Sequence, residues 1–320
     1  MSPTLFTQTY ASYLALGVGE LGGRAAAAGC LEGFGERLPW AACDCQPARL
    51  LATGLERKLL IELPEQARPE VAAQLVAAHK EELAALAERR VAAVLLGVLG
   101  EPGAELLLPA LSAALREAGL FVCVIALEPL APEAAPPSPY TAQVSASLAR
   151  AADLFLPLSS GAILATLGSG ASLVSVYQAA EAVLAGAAQS LLAALAAHDY
   201  PVSFTTRALA RTLRGAGHAF GAVGLGHGGD APRVALEDAL DARWWPQGLY
   251  AGRASVALAL VAGREISVGE AAAVAERIKR DREPSAPTLI GLGHESSLGE
   301  EAKCLLMLRP AHSRKVLPFP

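Results

Sequence analysis

Two stretches carry residue types at spacings that suit phosphate chemistry. Gly17-Val18-Gly19-Glu20-Leu21-Gly22, extended by Gly23, matches G-x-G-x-x-G, and Asp44 follows about twenty residues later. Read literally, the glycines open a helix toward a pyrophosphate and the acid takes a ribose, as in an NAD-dependent oxidoreductase. That reading is weak, because a lone fingerprint has no acid-base pair beside it and Glu20 puts negative charge in the loop. The second stretch is Gly100-Glu101-Pro102-Gly103-Ala104-Glu105. It lies where backbone N–H groups should cradle an anion, yet it holds two carboxylates and a proline, which has no N–H.

Other reactive residues form no constellation. His227 within Gly224 to Asp230 could be taken for a metal or phosphate loop, but a flexible turn between helices is the expected structure. No G-x-S-x-G elbow accompanies the serines and histidines, so a hydrolase triad has no support. The five cysteines, Cys30, Cys43, Cys45, Cys123 and Cys304, are odd in number and irregularly spaced, and Cys43-x-Cys45 is neither a zinc nor a redox spacing. They read as small buried hydrophobes in a reducing cytosol.

The elements that must position these loops follow from hydrophobic patterning. An apolar run, Val91 to Val98, enters the second loop, and a helix over 106–118 leaves it with Leu107, Leu108, Leu111 and Leu115 on one side. Gly119 ends the helix and Phe121 to Leu127 is a second β-branched strand. Strand, turn, helix and strand make a βαβ crossover whose turn sits at the carboxyl end of a parallel sheet, where α/β folds bind ligands. Tyr13 to Gly17 and Leu38 to Ala42 read as further strands, the latter followed by Asp44-Cys45-Gln46. Arg68-Pro69-Glu70 starts one long helix whose apolar positions are Val71, Leu75, Ala78 and Leu83. A proline-rich surface loop spans Glu128 to Pro139, Ala152 to Pro157 is a strand, and 173–197 is a long, nearly uncharged helix that should be buried.

After Asp199-Tyr200-Pro201 the composition changes. A more basic helix, 206–214, leads to a second unit with strands at 254–262, 288–293 and 302–309. Ser267-Val268-Gly269-Glu270 is a capping box that starts a helix to about Arg282. Trp244-Trp245 reads as packing between domains. At 320 residues the chain divides into a nucleotide-type domain (1–172), a central helix (173–200), an α+β domain (201–308) and a short tail (309–320). A net charge of -5 shows no basic face, so nucleic acid is not an expected partner. The start of the chain has no basic n-region, and the uncharged stretch 154–180 is broken by Pro157, Gly161, Gly168 and Gly170, so neither a signal peptide nor direct membrane insertion is expected.

Gly291-Leu292-Gly293-His294-Glu295-Ser296-Ser297-Leu298-Gly299-Glu300-Glu301, after a capped helix and before a strand, resembles the closing segment of the FtsZ branch of the tubulin superfamily. The resemblance extends backward in order over nearly the whole chain. Gly17, Gly19, Gly22 and Gly23 fall in the family's first glycine loop, Asp44-Cys45-Gln46 in its second loop and Ala67 to Val71 in its third. It implies an α/β fold: a Rossmann-like nucleotide domain, a central helix and a smaller α+β activation domain. It also implies that Tyr177 would stack a purine, Glu181 would bind guanine and Glu133 would contact the ribose.

The family's chemistry is eroded. Its run of glycines and threonines corresponds to Gly100 through Leu106, where only Gly100 and Gly103 keep loop positions. Its two water-polarising acids after the central helix correspond to a stretch containing Ser203, Thr205 and Thr206, with neither acid present. A carboxylate about 4 Å from a phosphate costs on the order of 4 kcal/mol at an effective dielectric near 20, against about 8 kcal/mol for micromolar affinity. Glu101 and Glu105 either fill or repel within the pocket, fixing one state, or point to solvent from a drifted turn. The expectation is a cytoplasmic, filament-forming protein that does not hydrolyse GTP and acts by self-assembly or by binding another FtsZ-family protein. No cofactor is expected, with GTP or GDP as the possible exception. Ser203, Thr205 and Thr206 would meet Glu101 and Glu105 of the next copy. The alternative is a GTP-binding FtsZ-like GTPase that polymerises only with nucleotide.

Overall fold

The computed structural model describes residues 12–30, 39–130, 139–196, 202–213, 219–245, 254–280, 288–295 and 298–310. Six strands, β1 (Tyr13–Val18), β2 (Trp40–Asp44), β3 (Arg57–Leu60), β4 (Ala92–Val98), β5 (Phe121–Leu127) and β6 (Leu154–Leu158), form a parallel sheet in the order β3-β2-β1-β4-β5-β6. Apart from β3 each is buried along its whole length, as a parallel sheet covered on both faces requires. On one face lie α3 (Pro69–Ala78), α4 (Lys80–Ala87), α5 (Pro102–Glu117) and α6 (Pro139–Ala151), around Leu107, Leu108, Leu111 and Leu148. On the other lie α1 (Gly19–Gly29) and α8 (Leu173–Ala196), with α2 (Pro47–Ala52) beside them and α7 (Ser160–Leu167) between β6 and α8.

The central helix α8 is about 36 Å long at 1.5 Å per residue. It runs parallel to α1: Arg24 pairs with Glu181 and, further on, Gln189 donates to the Gly29 carbonyl. Its far end reaches the amino end of the sheet, where the Tyr13 hydroxyl donates to the Leu195 carbonyl at 2.7 Å. This helix alone among the described residues is long and apolar enough to cross a membrane, and its second half is buried in the core.

Beyond α9 (Thr206–Leu213), β7 (Phe220–His227) continues the sheet through one parallel pair, Leu158↔Gly221. The order proceeds β7-β10-β8-β9, with β10 (Glu301–Pro310) antiparallel to both β7 and β8 (Ala254–Gly263), and β9 (Leu289–His294) parallel to β8. Helices α10 (Ala231–Ala239) and α11 (Val268–Arg280) cover it. The fold is the expected mixed α/β architecture, and its two parts share one sheet of ten strands. The capping box forms as read: the Ser267 N–H donates to Glu270, and the Glu270 N–H donates to the Ser267 hydroxyl.

Several local expectations are corrected. The helix over 69–87 is two helices, because His79 leaves helical geometry and its Nδ1 lies 2.8 Å from the Leu75 carbonyl. Helix α5 begins at Pro102 rather than 106, the proline occupying the first turn where no N–H is needed, so most of the supposed loop is helix. His227 ends strand β7 instead of marking a turn between helices. Trp244 and Trp245 pack in the second unit's core where it takes in Ala162 of α7, so they lie where the two parts meet, as the sequence suggested. Residues 311–320 lie outside the described residues.

Candidate functional site

The carboxyl ends of β1, β2 and β4 converge at the N-terminus of α1. Three glycines let this happen. A Cβ on Gly17 would stand 2.1 Å from the Gly22 carbonyl oxygen, and one on Gly22 would stand 2.4 Å from the Leu96 carbonyl oxygen, so α1 rests on the sheet backbone. Gly19, at φ +78, turns the chain into the helix. The Val18 cap supplies no side-chain acceptor, which leaves the first N–H groups of α1 open to an anion.

Glu101 supplies it. The Glu20 N–H donates to Glu101 Oε1 at 2.6 Å, and the nearby Leu21 N–H favours the charged form of this carboxylate. Both carboxylate oxygens lie 2.7 Å from where a Gly19 Cβ would be, so any larger residue there would collide with them. Arg49 of α2 reaches in from the second loop, its Nη1 3.2 Å from Glu101 and its Nε 3.1 Å from Glu20. Burial pushes the Glu101 carboxyl above its ordinary value and Asp44 adds to the rise, against the lowering effects of the Glu20 N–H, Arg49 and the Leu21 N–H. Asp44 is buried, accepts from the Gln46 N–H at 2.9 Å, and leaves its other oxygen without a hydrogen bond.

Glu105 is also turned inward. Its Oε1 accepts from the Gly100 N–H at 2.8 Å and from the Thr141 hydroxyl at 3.1 Å, so it satisfies its own loop. Gly100, at φ +94, and Gly103, whose Cβ would lie 2.9 Å from Cys45 Sγ, hold this corner close to the second loop. Both glutamates are thus turned inward rather than toward solvent.

The base-binding candidates sit on α8. Glu181 lies 2.6 Å from Arg24 Nη2, and burial raises its carboxyl above the usual range despite that arginine. Tyr177 is 43% exposed and neighbours Leu173 and Val174, which are more exposed still. Glu133 lies outside the described residues. At the far end of α8, Ser203 and Thr205 are exposed, Thr205 accepting from the Ala208 N–H at 3.1 Å to cap α9. Thr206 turns inward toward the Tyr13 hydroxyl. Arg24, Arg49 and Thr141 were missed as site residues; for Arg49 the signal was an arginine one turn into the helix that follows the second loop. Among the described residues no cluster of His, Cys, Asp and Glu could hold a metal ion.

No protein-family model matches the sequence, and no curated protein matches it. Solved structures do match in shape. An empty FtsZ dimer from M. jannaschii superposes with a TM-score of 0.83 at 18% identity, covering 95% of this chain and 89% of that one. A point-mutant FtsZ from M. jannaschii gives 0.80 at 18% identity, covering 94% and 92%. The GTPγS-bound protofilament of CetZ2 from Haloferax volcanii gives 0.70 at 20% identity, covering 95% and 94%. The chain therefore has the FtsZ- and tubulin-like fold over nearly its full length.

Proposed function

We propose that this protein is an FtsZ-like cytoskeletal protein that assembles head to tail with further copies of itself and needs no nucleotide to do so. The observation that carries the reading is the Glu101 carboxylate seated on the N-terminal N–H groups of α1. A nucleotide phosphate would need the same donors. It would have to displace a covalently tethered anion with a high local concentration, and then lie among Glu20, Asp44 and Glu101 with Arg49 as the nearby cation. A repulsion of about 4 kcal/mol from one such carboxylate would cancel half of a micromolar affinity. Hydrolysis lacks its base as well, since Ser203, Thr205 and Thr206 are neutral.

Self-association is favoured by the similar structures, one described as a dimer and one as a protofilament. It is also favoured by the exposed apolar residues Leu173 and Val174 beside Tyr177 at the start of α8. Residence in the cytoplasm fits the free cysteines and the buried α8. The test is negative-stain electron microscopy of the purified protein at one concentration, with and without GTP. Filaments in both conditions are the expected result. Filaments only with GTP would replace this reading with a nucleotide-dependent GTPase.

A further inference from the structure

At the opposite, amino end of the sheet, a cavity of about 720 Å³ opens between strand β3 and helix α4, lined in part by Arg57, Leu59, Leu86, Arg89 and Arg90. That volume lies in the range of small-molecule sites. Arg90 forms its back wall and is held in place, its Nε donating to the Leu86 carbonyl and its Nη1 to the Tyr13 carbonyl at 3.0 Å. Arg57 begins β3, opposite Ala41 of β2. Side chains alternate along a strand, so Arg57 shares the face of Leu59, which is buried in the α3–α4 core; Glu56 and Lys58, its neighbours in the chain, line the cavity as well.

Arg57 and Arg90 are thus two like charges on one wall, near enough that Arg57 adds to the lowering that burial imposes on Arg90. Among the described residues Arg57 makes no ion pair. The acids of the lining leave it so: Glu88 lies 3.7 Å from Arg89, and Glu56 and Glu82 form no ion pair among the described residues. Arg89 adds a third guanidinium from a backbone at φ 59, a conformation rarely taken by residues with a Cβ. Guanidinium groups lining one cavity, one fixed and one without an ion pair, suit a planar-forked contact with phosphate oxygens. The floor, Leu59, Ala85 and Leu86, is apolar.

We propose that this cavity binds a small organic phosphate, its phosphate held by Arg57 and Arg90 and its apolar body resting on Leu59, Ala85 and Leu86. The site is separate from the nucleotide-type loops, since it lies at the other end of the sheet, where Tyr13 meets both Arg90 and the far end of α8. Titration of the full chain with phenyl phosphate and with inorganic phosphate, by calorimetry or amide chemical shifts, tests it. Saturable binding of phenyl phosphate that weakens with salt, tighter than inorganic phosphate and weakened at least tenfold by Arg57→Gln, is expected. Arg280→Gln, exposed on α11 and outside the cavity, should change it less than twofold. Arg57 is exposed, so its substitution should not threaten folding. No saturable binding, equal binding in the Arg57→Gln variant, or binding of an acidic peptide but neither phosphate would overturn the proposal.

Discussion

Glu101 shows why a charged side chain can be worth burying and still carry a penalty. A hydrogen bond to a charged group contributes about 1.5–3 kcal/mol, and Glu101 accepts from the Glu20 N–H, is backed by the positive end of α1 and pairs with Arg49. Desolvation nonetheless dominates, so its folded-state value is raised above the ordinary 4.5. For a raised carboxylate the folded protein holds the proton more tightly than the unfolded chain does. Its contribution to stability is therefore fully present below about 4.5 and is lost as pH rises through the raised value. Glu128 and Glu181 are raised by the same cause and share the sign. Urea midpoints of the wild type and the Glu101→Gln variant, measured from pH 4.5 toward neutrality, should show the wild type losing stability relative to the variant. A difference that stays flat or grows with pH would contradict this assignment. Sequence alone revealed the two carboxylates in the loop. It did not reveal their direction, which depends on donors far along the chain: the Glu20 N–H, Arg49 and Thr141.

Among elements, the seat of α1 on the sheet is the most demanding contact in the site. Alanine at Gly22 would place a Cβ 2.4 Å from the Leu96 carbonyl oxygen and lift the helix whose N-terminus receives Glu101. Gly22→Ala should cost about 1–3 kcal/mol as overpacking. Gly186, inside α8 with nothing within 4 Å of its would-be Cβ, should behave oppositely, Gly186→Ala gaining about 0.5–1 kcal/mol from helix propensity. Paired denaturant titrations decide both signs. Elements with strong periodicity were legible in sequence: the βαβ crossover, the buried central helix and the capped helix α11 all stand within a few residues of their expected bounds. Strand β7 (Phe220–His227) was hidden because its second half, with Gly224 and Gly226, reads as a turn. These glycines instead make room for α10: Cβ atoms on Gly224 and Gly226 would meet the Ala235 and Ala231 carbonyl oxygens at 2.1 and 2.0 Å. Strand β3 was hidden because four residues opening on Arg57 and Lys58 show no alternation, as suits a charged sheet edge.

At the scale of the whole molecule, α8 links two ends of opposite character. Its first turns present Leu173 (61% exposed), Val174 (65%) and Tyr177 at the end of the molecule that carries Glu20, Asp44, Glu101 and Glu181. Its last turn leads to Val202, Ser203 and Thr205, exposed and without charge, next to the edge strand β9 that Val202 bridges. Stacking these ends would let apolar surface cover apolar surface while no carboxylate approaches the acidic rim. A glutamate at Ser203 removes that advantage without touching the core, because Ser203 is exposed. The added repulsion at about 4 Å ranges from roughly 1 kcal/mol in water to roughly 4 kcal/mol at the surface of a protein. Since 1.4 kcal/mol is tenfold, Ser203→Glu should raise the critical concentration for assembly about fivefold or more at low salt. Added salt should restore part of the loss, and Ser203→Gln, equal in size but neutral, should assemble like the wild type. Pelleting assays across protein concentration measure all three. Equal assembly of the glutamate variant at low salt would mean that this end of α8 does not face the acidic rim of another copy, and that any filament is built from a different surface.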